Sequence, residues 1–164
     1  MRNLIEVFGA SNLHRWSSDS LSAVEIPESS KNFLHHIGLP KQGDWTLRFG
    51  TPQDLPLLRS HPGMRVIGYD DLVPICLDEN CNGRVIAADS DLDVRFVNSS
   101  VERFGMCLAV YQAYRVAVRH LDEEEAENVV EETVREIEDI DAAATSNEEH
   151  WWSIIIEQMR QGML

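Results

Sequence analysis

From residue 45 onward the apolar residues of this chain change their period once. Between residues 45 and 97 they tend to recur at every second position, and from residue 101 onward at every third or fourth. Period two belongs to strands that show alternate faces, and period 3.6 to helices buried along one stripe. A strand region followed by a helical region predicts an α+β fold.

Five strands are expected, over residues 45–49, 65–69, 73–77, 84–88 and 94–97. Asp70-Asp71 separates the second from the third. Asn82-Gly83 precedes the fourth and suits the positive φ angles of a tight turn. Pro74 predicts that its strand begins late or lies at an edge. The gaps are mostly too short for a crossover helix, so the pairing is mainly antiparallel. Ahead of the strands, Pro27 predicts the first position of a helix that buries Phe33, Leu34 and Ile37. Gly38 is its expected left-handed cap, and Pro40 blocks continuation. Residues 4–9 fit a short helical turn or a strand, and the serine-rich stretch 10–24 reads as a loop.

Three helices are expected after the strands. Ser99 and Glu102 have the spacing of a capping box, ahead of Val101, Phe104, Leu108, Tyr111 and Val118. Asp122 and the acids after it sit where a helix dipole is positive. Ala126, Val129, Val130, Thr133, Val134, Ile137 and Ile140 supply that helix with a buried stripe. Ser146 with Glu149 predicts the start of a last helix carrying Trp151, Trp152, Ile155, Ile156 and Met159, closed by Gly162. The whole reads as one domain over residues 1–164: a single, mainly antiparallel sheet of about five to six strands with flanking helices.

Charge is concentrated. Residues 122–149 hold thirteen acids and one base, Arg135, a net of −12, while the rest of the chain is close to neutral at −2. Such a surface repels phosphate backbones and anionic lipid, so neither nucleic acid nor membrane is an expected partner, and a basic protein is. No apolar run approaches the ~20 residues that span a bilayer, and the N-terminus lacks the pattern of a secretory signal, so a cytoplasmic location is expected. Cys76, Cys81 and Cys107 read as reduced thiols.

The search for chemistry yields no catalytic set, cofactor site or metal site. Cys76 and Cys81 have zinc-like spacing but no second pair follows. Residues 89–93 begin like a calcium loop, yet Val94 replaces its glycine and Ser100 its final glutamate. No nucleotide cradle is present. Ser99 and Ser100 lack a base and a glycine elbow.

Several segments resemble the SUKH superfamily, which is related to the Smi/Knr-type domain, and its fourth subfamily in particular. Residues 33–40, which include Gly38, Leu39 and Pro40, resemble its helix-then-Gly-Leu-Pro segment. Residues 66–70, with Gly68, resemble its central strand, and residues 75–85, with Gly83, its hairpin. The most specific piece is residues 96–104, with Asn98, Ser99, Ser100, Glu102 and Phe104, which resembles the strand-to-helix junction of that subfamily. Residues 151–164 resemble its last helix, and residues 1–25 match loosely. These motif residues have good structural readings: they cap, turn or pack.

The resemblance implies an α+β fold with a mixed sheet. It also implies an immunity protein of bacterial competition, which binds and neutralises a cognate polymorphic toxin domain, a nuclease or a deaminase, without catalysis or cofactor. Beyond what the resemblance implies, a toxin with a basic cleft would meet Glu123, Glu124, Glu127, Glu131, Glu132, Glu138 and Asp139 on the acidic helix, the rival interface being the exposed sheet face and its loops. The alternative is a regulatory or scaffold module of the same fold.

Overall fold

The computed structural model describes residues 3–43, 45–50, 54–88 and 94–163, with residue 123 as backbone. The N-terminal third holds α1 (Leu4–Phe8), β1 (Leu13–His14), α2 (Ser18–Ser22), α3 (Glu28–His36) and β2 (Leu39–Pro40). The sheet follows as β3 (Leu47–Phe49), β4 (Met64–Asp70), β5 (Val73–Asp78), β6 (Arg84–Ala88) and β7 (Val94–Asn98). The chain ends with α4 (Val101–Ala117), α5 (Glu123–Ile140) and α6 (Trp151–Arg160). The calcium-like residues 89–93 lie outside the described residues.

The five strands pair in chain order, each neighbour antiparallel. The sheet is therefore mainly antiparallel to its limit, with no parallel pair among the described residues to make it mixed. Alternation along β5 and β6 divides two layers of core. Ile75, Leu77, Val85 and Ala87 join the large cluster that contains α4, α5 and α6 residues. Cys76 and Ile86 turn the other way, toward Val66, Ala88, Leu58 and Met64. This is the period-two pattern expressed as packing. At Gly68 a Cβ would come 2.4 Å from the Arg48 carbonyl oxygen and 2.6 Å from the Phe49 ring. The missing side chain thus lets Phe49 lie across β4, and its ring meets Phe104 edge-on at 5.7 Å.

Four expectations are corrected. Residues 10–24 are not a loop. They hold a 3₁₀ turn (Ala10–Asn12), β1 and α2, the last capped by the Ser17 hydroxyl on the Ser20 amide at 3.0 Å. Serines that suggest irregular chain are here helix caps, and Trp16, Leu21 and Val24 are buried in the main core. Pro74 lies on a central strand that begins at Val73, which is tolerated because pairing with β6 starts only at Ile75. Ser146 does not open the last helix. His150 precedes it, and Asn147 makes the local bonds, accepting from the Glu149 amide at 2.9 Å and from the Ser153 hydroxyl at 2.7 Å. The fourth correction, at Ser99, belongs to the junction described below.

Other expectations hold. Residues 4–8 settle as helix. Asn82 and Gly83 both take positive φ, 56° and 72°. Gly38 has φ 84°, and its amide reaches the Phe33 carbonyl at 2.9 Å. A Cβ there would lie 2.0 Å from the His14 carbonyl oxygen, so this glycine also permits β1 to approach β2.

Candidate functional site

The junction of β7 and α4 carries the most specific sequence motif, and it is built around a distant acid. Asp141 ends α5 and is 1% exposed. Its carboxylate accepts from the Asn98 side-chain amide at 2.9 Å, the Ser99 backbone amide at 2.7 Å and the Ser99 hydroxyl at 2.8 Å. The Arg103 guanidinium pairs with it at 3.2 Å. Burial alone would raise its pKa. The bonds from Ser99 and Asn98, with the charge of Arg103, outweigh burial and hold the carboxyl below its usual value. Asn98 spends its own carbonyl on the Trp152 indole N–H at 2.8 Å. One buried network thus ties β7, α4, α5 and α6 together.

The expected capping box is therefore displaced. Ser100, not Ser99, caps α4, accepting from the Arg103 amide at 3.4 Å. Glu102 turns away from the cap and accepts from the Ser30 hydroxyl at 3.1 Å, joining α4 to α3. Ser99 is held by a residue 42 positions away, which no local spacing reveals. Phe104, Leu39 and Asn98 are fully buried, whereas Ser99, Ser100 and Glu102 are half-buried. At Asp122 a capping box opens α5, with Glu125 as its second member.

Along α5 the buried residues Val130, Thr133, Val134 and Ile137 lie on one side. Glu132 and Asp139 are exposed on the opposite side, and Glu124, Glu127, Glu131 and Glu138 are exposed along the flank of the helix. Glu124, Glu127, Glu131 and Glu138 follow one another at spacings of three, four and seven, which stacks them along one line of the helix. Glu132 and Asp139 lie on the adjacent line, also seven apart. Glu131 differs from the rest. It is paired with Arg160 of α6 at 2.9 Å, a bond that lowers its pKa. Glu124, Glu127, Glu132, Glu138 and Asp139 form no ion pair among the described residues. The side chain of Glu123 lies outside the described ones.

A second surface escaped sequence reasoning. A cavity of about 740 Å³ opens between β3, the end of α4 and α6, lined by Trp45, Asp70, Arg95, Tyr111, Arg115, Arg119 and Trp151 among others. Trp45 stacks on Tyr111 with ring centroids 5.3 Å apart, and Arg115 donates to the Tyr111 hydroxyl at 3.3 Å. Burial raises the Tyr111 pKa, against the bond from Arg115. A groove of about 690 Å³ shares Arg115 and Arg119 with this cavity and runs between α4, α5 and α6 to Glu127 and Glu131. The spacing of Arg115 and Arg119 is a sequence signal for a shared helical face. Nothing in the sequence brings Arg95 beside them.

The two buried thiols are the reverse of activated. Burial pushes both Cys76 and Cys107 up to about 12, far from a reactive thiolate at neutral pH. Among the described residues, no group of three His, Cys, Asp or Glu side chains is placed to hold a metal ion. No helix among them is long and apolar enough to cross a membrane.

A family model described as SUKH-4 immunity protein matches residues 1–158. No curated protein and no solved structure matches the chain.

Proposed function

The chain belongs to the SUKH-4 immunity protein family, and from that membership we propose that it binds a cognate toxin domain, a nuclease or deaminase with a basic cleft, and neutralises it by occupying that cleft. The observation that carries this reading is the unpaired acidic face of α5. Glu124, Glu127, Glu132, Glu138 and Asp139 are exposed on a helix whose apolar stripe is anchored in the core.

A rigid, pre-formed display of carboxylates costs little to order on binding. A nuclease cleft is shaped for phosphate, so it presents the complementary charge. Exposed charges act mainly on encounter. Steering of this kind raises association from about 10⁵–10⁶ to as much as ~10⁸–10⁹ M⁻¹s⁻¹ at low salt and fades with screening. The protein does this in the cytoplasm as a binding partner, without catalysis or cofactor, and residues 1–164 act as a single domain.

The test is calorimetric and kinetic titration against the toxin domain encoded by the neighbouring gene, at two salt concentrations. Nanomolar one-to-one binding with association that slows steeply in salt is expected. Tight binding with salt-insensitive association removes α5 from the interface. No binding at micromolar concentration refutes the toxin reading and favours a regulatory module.

A further inference from the structure

We propose that the arginine-lined cavity between β3, α4 and α6 receives an acidic segment of the protein partner, with Leu72 as the apolar anchor beside it. This rests on the reading that the chain works by binding a protein. It adds a second contact, of opposite charge, to the one assigned to α5.

The charge balance of the cavity is the first argument. In a chain of net charge −14 with fourteen basic residues, Arg95, Arg115 and Arg119 converge on one recess. The acid in its lining, Asp70, is already engaged by neutral donors. The Thr46 hydroxyl donates to one oxygen and the Trp151 indole to the other at 3.1 Å. Arg115 is bonded to a neutral phenol, which leaves its charge uncompensated by that contact. Arg95 is exposed on the edge strand β7 and forms no ion pair among the described residues. Glu148 and Glu149 face a neighbouring recess, which shares Arg95 and Ile154 with the cavity. Guanidinium groups in a concave, partly apolar setting are suited to bidentate recognition of carboxylates.

The hairpin that follows Asp70 supplies the second argument. Leu72 is 85% exposed at the tip of the β4–β5 hairpin, two residues from Asp70. Asp71 holds the turn at φ 51°, so the leucine is presented on a defined turn. An exposed leucine beside a charged recess resembles the anchor-and-pocket arrangement of protein interfaces more than the enclosed site of a small ligand. The third argument is continuity. The groove that shares Arg115 and Arg119 ends at Glu127 and Glu131, so basic cavity and acidic helix lie along one face. One partner can engage both, and the alternation of sign fixes its register.

The experiment compares wild type with Arg95→Gln and Leu72→Ser, both exposed positions at which the fold is retained, as unfolding curves will verify. Each is titrated against the neighbouring toxin domain, in parallel with a variant carrying E124Q, E127Q, E132Q and E138Q. Each cavity-side change is expected to weaken binding by about tenfold or more, mainly through faster dissociation. The helix variant is expected to slow association instead. Binding of both cavity-side variants within about twofold of wild type overturns the cavity proposal and leaves the immunity reading standing. Absence of wild-type binding overturns both. Saturable sub-millimolar binding of inorganic phosphate or adenosine monophosphate to the free chain, lost in Arg95→Gln, overturns the protein segment in favour of a small anion.

Discussion

Trp152 on the last helix donates its indole N–H to the side-chain carbonyl of Asn98 on the last strand, 2.8 Å away, with both residues fully buried. The contact spans 54 positions of sequence and is the far end of the network that begins at Asp141. It gives the strand-to-helix junction a polar centre inside an apolar core, where an unmade bond is costly.

Trp152→Phe keeps much of the ring volume and removes the donor. The Asn98 carbonyl is then buried without its partner, and a loss of about 1–3 kcal/mol is expected in denaturant unfolding. Trp152→Ala adds a cavity and is expected to cost about 3–5 kcal/mol. A negligible loss in Trp152→Phe beside a large one in Trp152→Ala would mean that the indole bond contributes nothing apart from packing.

Asp141 sets the acid limb of stability. Its folded pKa is depressed, so its contribution is complete above the unfolded value of about 3.9 and is lost as pH falls through the lower folded value. Asp141→Asn places an amide among donors and is expected to lose about 1–3 kcal/mol or more at pH 7. The gap between variant and wild type should narrow as the wild-type carboxyl protonates. A gap that stays constant down to pH 2 would exclude this carboxyl as the titrating group.

Gly38 and Gly162 separate two uses of glycine. Both have positive φ, 84° and 66°. At Gly38 a methyl would strike the His14 carbonyl, whereas at Gly162 nothing lies within 4 Å. Gly162→Ala should cost about 1 kcal/mol, the backbone penalty alone, and Gly38→Ala at least about twice that. Melting curves of the pair decide it.

The three thiols should divide by burial. Cys81 is exposed, while Cys76 and Cys107 are buried with pKa values near 12. A thiol reagent at pH 8 is expected to label one cysteine in the folded chain and all three after unfolding. Rapid labelling of two in the native state would contradict the packing of β5 or α4.

Glu131 and Glu132 are neighbours with different expected effects. Glu131 is already balanced by Arg160, and Glu132 is not. At low salt, Glu132→Gln is expected to slow association with the toxin domain several-fold, and Glu131→Gln distinctly less. Neither change should alter stability by more than about 1 kcal/mol, since both sites are exposed. A reversed order of association rates would place the partner on the Arg160 side of the helix.

What could be read from residues alone was what local physics decides. The alternation at residues 75–77 and 85–87 reflects a pleat with a two-residue repeat, so it marked strands and their buried sides. The stripe through Val130, Val134 and Ile137 marked a helix and its inward face, which left the acids outside. Asn82-Gly83 and Gly38 were legible because few residues accept positive φ. The serines misled where two local uses compete. Near residue 17 a serine caps a helix where a loop was expected, and at residue 99 the hydroxyl leaves the cap for Asp141. That choice depends on a carboxylate 42 residues away, and its free energy comes from burial that exists only once α5 has docked. The cavity is of the same kind. Arg95, Arg115 and Asp70 line one cavity although they come from β7, α4 and the end of β4, and proximity across a fold leaves no periodic trace in the chain. Sequence determined the elements and their faces. Tertiary structure decided which polar groups are buried together and which charges stand side by side.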